Sequence, residues 1–185
     1  VYCNDSSPVI EDIRIHSNIS NDVGGGIYLT NYSDPYGTNI FIDNNSSIFS
    51  GGGLYIVDNS NPYFDHITVT SNTTDTWGGG FAGKYGVNIK ISNSIFWNNS
   101  PNQLAMSEYD DNGNTYAIAT STIEDGLNGI QTGNDDNIYW LIGNMSIDPL
   151  FSDELLFSLN MGSPCIDAGI QDTLLLFNND QDAIL

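Results

Sequence analysis

A triplet of glycines recurs along this chain at a constant spacing of 27 residues. The nine residues of the three triplets are Gly24, Gly25, Gly26, Gly51, Gly52, Gly53, Gly78, Gly79 and Gly80. A fixed period of this length is the signature of repeat proteins, in which each repeat packs only against its neighbours. We therefore expect stacked units that share one core, because no single repeat can bury its apolar residues alone.

Apolar residues within a repeat stand two apart, as Ile13 and Ile15 do in the first one. This alternation is that of a β-strand, because a helical face repeats every three or four residues. The first repeat is predicted to hold three short strands, near residues 8–10, 13–16 and 26–29. Strands at a fixed period without helical segments between them predict an all-β fold. We expect a right-handed parallel β-helix (a solenoid) of about six to seven rungs.

Asparagine occupies one position in four successive repeats, at Asn18, Asn45, Asn72 and Asn99. Stacked side-chain amides can hydrogen-bond from rung to rung, so this column predicts an asparagine ladder. The glycine triplets permit a positive φ at a tight corner, where a Cβ atom would clash. Both features are expected to define the fold and not a ligand site.

The period holds only over roughly the first half of the chain. We expect one solenoid domain, with regular rungs over residues 1–99 and less regular rungs and a closing segment over residues 100–170. Residues 171–185 are expected to form a tail. The chain starts without a charged and then apolar leader, so either a leader has been removed or the chain is a piece of a longer protein.

The charge balance excludes several classes of partner. Only Arg14, Lys84 and Lys90 are basic, against 23 acidic residues, for a formal net charge of −20. Such a surface repels the phosphates of nucleic acids and of anionic lipids. No stretch of about 18 apolar residues is present, so we expect no membrane span.

Two cysteines, Cys3 and Cys165, are expected to be free thiols or to pair outside this chain. At about 4.8 Å for each rung, about six rungs would separate them by nearly ~30 Å, far beyond the ~7 Å reach of a disulfide.

Two sets of motifs resemble a known group of proteins. Gly-Gly-Gly-Ile-Tyr at residues 24–28 and Gly-Gly-Gly-Leu-Tyr at residues 51–55 follow the asparagine column. They resemble the rungs of secreted bacterial right-handed β-helix repeat proteins. Asp-Pro-Leu-Phe at residues 148–151 and Ser-Pro-Cys-Ile-Asp-Ala-Gly at residues 163–169 are similar to the end of many such domains. The resemblance implies an extracellular or cell-surface location.

A second resemblance is to the chlamydial polymorphic outer-membrane adhesins. Phe-Ile-Asp-Asn at residues 41–44 and Phe-Trp-Asn-Asn at residues 96–99 are similar to their Phe-x-x-Asn motif. The two phenylalanines fall in different columns of the repeat, which departs from a periodic motif. This similarity implies adhesion as a function.

Polysaccharide lyases and glycoside hydrolases also use this fold, so an enzymatic function is an alternative to binding. A lyase of that kind needs an arginine or lysine above a calcium-binding acidic cluster. No such cluster lies at rung spacing beside Arg14, Lys84 or Lys90. The acid pairs at residues 110–111 and 135–136 lie in polar loops, and adjacent residues on a strand point to opposite faces. We therefore assign no catalytic residue.

Metal binding has one alternative candidate. Asp110, Asp111 and Asn112 lie in a loop that resembles an oxygen-rich calcium loop, but the alternating acids and the closing glutamate are missing. His16 and His66 are not at equivalent positions, and neither has a second ligand at metal-binding spacing. We expect no cofactor, with Ca²⁺ as the alternative, and we expect both histidines to be ordinary surface residues.

Outward positions of the repeat carry aromatic residues in columns. Stacked rings form a flat strip whose faces suit sugars, while nearby asparagine and aspartate supply hydrogen bonds. The same rings could instead shield the sheet or contact another protein. The candidate binding residues are Tyr28, Tyr55, Tyr36, Tyr63, Phe41 and Trp97.

These observations favour a non-catalytic extracellular surface module for adhesion, glycan binding or structural assembly. Its partners would be a glycan, a cell-surface protein or further copies of itself. A carbohydrate-active enzyme on a β-helix is one alternative, and a self-assembling sheath or fibre subunit is another.

Overall fold

The computed structural model describes residues 1–107, 113–153, 157–171 and 177. The elements whose bounds the structure gives are strands, apart from a 3₁₀ turn at Gly126–Gly129, and Phe177 is helical. The strands are β1 (Tyr2–Asn4), β2 (Val9–His16), β3 (Ile19–Ser20), β4 (Ile27–Thr30), β5 (Tyr36–Asp43), β6 (Ser46–Ser47), β7 (Leu54–Val57), β8 (Tyr63–Thr70), β9 (Thr73–Thr74), β10 (Phe81–Lys84), β11 (Asn88–Ser92), β12 (Ile95–Trp97), β13 (Leu104–Met106), β14 (Thr115–Ala119), β15 (Thr122–Ile123), β16 (Ile130–Gln131) and β17 (Asn137–Trp140).

The strands stack as three parallel sheets, which confirms the predicted all-β solenoid. The first sheet takes one strand from each rung, in the order β1-β4-β7-β10-β13-β16. The second sheet contains β2, β5 and β8, followed by the broken strands of later rungs. The third sheet is short and has the order β3-β6-β9. All pairings within these sheets are parallel, as a coil requires.

The register follows the sequence period. Ile27 pairs with Leu54, and Leu54 pairs with Phe81, so the 27-residue spacing is one turn of the coil. The stack comprises about five turns, fewer than the six to seven rungs expected. The difference arises at the C-terminal end, where an antiparallel bridge between Phe151 and Leu159 takes the place of another parallel rung.

Each glycine triplet forms a corner ahead of the first sheet. Gly51 has a φ of +64°, which a residue with a Cβ rarely adopts. A Cβ on Gly52 would lie 2.3 Å from the carbonyl oxygen of Thr73 in the next rung. The second constraint comes from stacking and not from the turn itself. The corner thus needs glycine twice, once for its dihedral angle and once because backbones of successive rungs approach closely.

The four asparagines form a ladder that crosses rung boundaries. The Nδ2 group of Asn45 donates to Oδ1 of Asn72 at 2.9 Å and to the carbonyl oxygen of Ile15 at 2.9 Å. Its Oδ1 accepts from the backbone N–H and from Nδ2 of Asn18. Asn72 bonds Asn99 in the same way. Every polar group of the Asn45 side chain therefore has a partner although the residue is fully buried.

Inward side chains of the three sheets fill a single core. Ile27, Leu54, Phe81 and Leu104 lie one above another on the first sheet, and each is buried. The Phe81 ring in this core meets Phe64 edge-on, packs at a tilt against Phe96 and stacks on Tyr116. Burial of side chains of this size contributes about 1.5–3 kcal/mol each. The core therefore runs continuously along the axis of the coil.

The segment from residue 148 onward leaves the coil and packs across the outer face of the second sheet. The Phe157 ring stacks on that of Phe41, with centroids 5.5 Å apart. Asn93 exchanges two hydrogen bonds with the backbone of Ile170, at 3.0 Å and 3.1 Å. We call the described part of this segment, residues 148–153 and 157–171, the closing segment. Among the described residues, no helix is long and apolar enough to cross a membrane.

Replacing a central ladder residue is expected to destabilise the fold strongly. Asn72→Ala removes the amide that bridges two rungs and leaves buried groups of Asn45 and Ile42 without partners. We expect the free energy of unfolding to fall by about 3 kcal/mol. Urea denaturation followed by circular dichroism measures it.

The matched control is Asn18→Ala at the exposed end of the same ladder. This substitution should lower the free energy of unfolding by less than about 1 kcal/mol, because water can replace the lost Asn18 amide as a partner. Equal losses for the two variants would contradict a ladder in which burial sets the importance of each amide.

Candidate functional site

A continuous strip of aromatic rings runs along the outer face of the first sheet. Tyr2, Tyr28 and Tyr55 occupy one outward column, since Tyr2 pairs with Tyr28 and Tyr28 with Tyr55. The ring centroids of Tyr2 and Tyr28 are 5.4 Å apart, and those of Tyr28 and Tyr55 are 5.5 Å apart. The Trp77 ring continues the row at 6.3 Å from Tyr55. We call these four side chains the aromatic strip.

The last ring of the strip comes from a different position of the repeat. Ala82 pairs with Tyr55 and occupies the place where the column would continue, and it is fully buried. Trp77 precedes the third glycine triplet, where the equivalent residue of the earlier rung is Ser50. Sequence reasoning therefore identified Tyr28 and Tyr55 but missed Tyr2 and Trp77. Tyr2 joins the strip because β1 pairs with β4 and places Tyr2 beside Tyr28. Trp77 contacts Tyr55 on the side where Ala82, which has no ring, occupies the next position of the column.

The strip lies in acidic and polar surroundings. The carboxylate of Asp58 accepts a 2.7 Å hydrogen bond from the Thr30 hydroxyl beside Tyr28. Partial burial raises the pKa of the Tyr28 phenol above its ordinary value, and Asp58 adds to the effect. Burial likewise raises the pKa of Tyr55, with the neighbouring Tyr28 second in importance. Both phenols are therefore neutral at physiological pH and can donate a hydrogen bond.

The other predicted aromatic candidates lie on the second sheet, and parts of the C-terminal chain contact several of them. Tyr36 and Tyr63 form a pair with centroids 5.4 Å apart, and the Phe177 ring meets Tyr63 edge-on at 5.5 Å. Phe41 is stacked under Phe157. Trp97 is half-buried at the end of β12. These rings do not join the aromatic strip.

Arg14, one of the three bases, is engaged in an ion pair. Its guanidinium donates two hydrogen bonds of 2.8 Å to the two carboxylate oxygens of Asp43, which is 1% exposed. The hydrogen bond to Asp43 raises the pKa of Arg14 above its already high value. The guanidinium also lies over the Phe41 ring at 5.5 Å. A lyase would need this base free above a calcium cluster, and here it neutralises a buried carboxylate.

A groove of about 700 Å³ lies between the second sheet and the closing segment. Asp65, His66 and Asn93 line one wall, and Cys165 and Asp167 line the other. The sequence pattern did not reveal this groove, because the closing segment lies outside the period. Neither lysine nor arginine lines it among the described residues. Lys90 instead lines a separate groove of about 310 Å³.

Cys3 and Cys165 are not joined to each other by a disulfide. Cys3 is buried in the core, and the Sγ atom of Cys165 lies 3.3 Å from the Thr122 hydroxyl. The calcium-loop candidates Asp110, Asp111 and Asn112 lie outside the described residues. Elsewhere in the described chain, no group of three or more histidine, cysteine or acidic side chains is arranged to hold a metal ion.

Comparisons with known proteins identify no relative of this chain. No protein-family profile matches the chain, no curated protein is significantly similar to it in sequence, and no solved structure matches it significantly.

The raised pKa of Tyr55 predicts how stability depends on alkaline pH. The unfolded chain loses this proton near the ordinary pKa of 10.0, while the folded chain retains it. Its contribution is thus fully present below that pH and is lost as the pH rises further. Between about pH 9 and about pH 11, the parent should lose more unfolding free energy than Tyr55→Phe, which has no phenol to ionise. Urea titrations across this range test the difference, and parallel losses would show that the Tyr55 pKa is not raised.

Proposed function

We propose that this protein is a non-catalytic surface module that binds a glycan along the aromatic strip. The observation that carries the proposal is the unbroken row of four rings, from Tyr2 to Trp77, at spacings of 5.4 Å, 5.5 Å and 6.3 Å. The faces of sugar rings carry C–H groups that pack on aromatic faces. Neighbouring rings are inclined to one another by 61°, 59° and 62°, so the row can contact several consecutive sugars of one chain through a series of separate ring faces and edges.

The exposure of the strip fits a binding surface. Tyr2 is 63% exposed, and Tyr28, Tyr55 and Trp77 are each partly exposed on the outside of the first sheet. Rings whose only role was to shield the sheet would not need to be exposed to solvent. Tyr28 and Tyr55 each pack between two neighbouring rings, so little of their side-chain entropy is lost on binding.

The negative charge of the chain limits the class of glycan that can bind. The chain carries a formal charge of −20, and Asp22 and Asp58 act on the phenols of the strip. Polyanionic glycans would be repelled, so the ligand that we propose is an uncharged polysaccharide. Asn31 is exposed just beyond β4, the strand that carries Tyr28, and its amide can hydrogen-bond to sugar hydroxyls.

The setting that we propose is the cell surface or the extracellular space, with adhesion as the role. It rests on the similarity of the glycine-triplet rungs to those of secreted β-helix proteins. A carbohydrate-active enzyme is supported less well, since Arg14 is bound to Asp43 and Lys90 lies away from the acidic groove.

Removing one ring should weaken glycan binding measurably. Tyr55→Ala is expected to reduce affinity about five-fold, because one aromatic contact contributes about 1 kcal/mol. A glycan array would identify the ligand, and calorimetry with the best uncharged oligosaccharide would give the dissociation constants.

The matched control is Tyr32→Ala, which removes an exposed ring outside the strip and should leave affinity unchanged. Failure of every uncharged glycan to bind would overturn the proposal. So would reducing-sugar release by the parent protein that a single Asp→Asn change abolishes, because that result would make the chain an enzyme.

A further inference from the structure

The strands of the second sheet bend at one position in every rung. Five residues one period apart have a positive φ there, and they are Asp12, Asn39, His66, Asn93 and Thr120. In a regular strand, neighbouring side chains point to opposite faces. At this bend the rule fails, and the adjacent side chains of Asp65 and His66 meet on the outer surface.

Asp65 fixes the orientation of the His66 ring. Its Oδ2 atom lies 2.9 Å from Nδ1 of His66, and a carboxylate can only accept, so Nδ1 carries the proton. Its Oδ1 accepts from the Ser92 hydroxyl at 2.6 Å and from Nδ2 of Asn93 at 2.9 Å. The carboxylate is thus satisfied by three donors. In the tautomer with the proton on Nδ1, Nε2 is the hydrogen-bond acceptor of the ring.

This arrangement occurs in one rung only. The positions that pair with Asp65 in neighbouring rungs hold Thr38 and Ser92, so neither supplies a carboxylate beside the bend. The bend itself requires only a residue that tolerates a positive φ, and asparagine serves at other rungs. The repeat therefore explains the bend but not the aspartate–histidine pair.

The pair opens into the groove of about 700 Å³ under the closing segment. His66 is 52% exposed there, whereas Asp65 is 15% exposed. The opposite wall carries Asp167, and Thr120 and Thr122 also line the groove. The volume lies within the range of small-molecule sites. Polar groups thus converge on a concave space from two separate parts of the chain.

We infer that this groove is a second ligand site, which takes an uncharged polyhydroxyl compound the size of one or two sugar rings. A ligand hydroxyl donates to Nε2 of His66, and a second hydroxyl donates to the Asp167 carboxylate. Anions are disfavoured because two carboxylates and no lysine or arginine line the described groove. A cation gains little from Asp65, whose charge is already held by three donors.

The site is distinct from the aromatic strip, which lies on the first sheet, and it does not depend on the function proposed for that strip. His66 is a binding residue in this account, and Asp65 is a positioning residue that acts through it.

Nuclear magnetic resonance of the full chain tests the inference. N-acetylglucosamine and cellobiose, at millimolar concentrations, should produce saturable shifts of the Thr120, Thr122 and Asp167 backbone amides. His66→Ala should weaken this binding about tenfold, as the loss of one hydrogen bond to a ligand would. Glucosamine, the cationic analogue, should bind no more tightly than N-acetylglucosamine. Tyr55→Ala should leave the groove shifts unchanged, which separates this site from the strip.

The positioning role of Asp65 has its own readout. In a His16→Gln background, His66 is the single histidine, and its imidazole ¹⁵N resonances should report a proton on Nδ1. Asp65→Asn should move the resonances toward the Nε2-protonated form without unfolding the chain. The inference is overturned if no uncharged sugar shifts the groove amides, if His66→Ala binds as the parent does, or if glucosamine binds more tightly.

Discussion

The whole architecture depends on hydrogen bonds between successive rungs, made by the backbone and by the buried asparagine ladder. Each rung is too small to bury its own apolar residues, so it is stable only when its neighbours are in register. A slip of one residue would turn every inward side chain outward. The ladder opposes such a slip, because Asn45 and Asn72 would lose bonds that no water could replace in the core.

The same register produces the outer surface. Side chains one period apart are brought to about the spacing of neighbouring strands, so a tyrosine repeated in sequence becomes a row of rings in space. Departures from the period are then the informative positions. Ala82 interrupts the tyrosine column, and Trp77 supplies the next ring. Asp65 and His66 form a hydrogen-bonded pair at the bend of one rung, and they open into the groove. The residues that follow the period have structural roles in the fold, and ligand binding is proposed at the residues that depart from it.

The sequence was sufficient to predict the all-β solenoid and the rung length, because both depend on a local period that glycine and asparagine mark clearly. It gave strands near residues 8–10 and 13–16 as separate, whereas they form one strand, β2, with a bend at Asp12. The bend is a positive φ that aspartate and asparagine tolerate, so no characteristic residue marks it in the sequence.

Most of what the sequence missed lies in contacts without a period. The stacking of Phe157 on Phe41 and the pairing of Ile170 with Asn93 join residues more than 70 positions apart. Neither contact leaves a local pattern, so the groove between the second sheet and the closing segment could not be anticipated. The bidentate pair of Arg14 and Asp43 is similar, since its partners sit in different columns of adjacent rungs.

A buried ladder of asparagine amides holds the rungs in register. Hydrogen exchange of asparagine side-chain amides tests it most directly, because each Nδ2 group can be followed by nuclear magnetic resonance. We expect Asn45, Asn72 and Asn99 to exchange as slowly as backbone amides of the core, while Asn18 at the exposed end exchanges fast. Fast exchange at all four positions would contradict it.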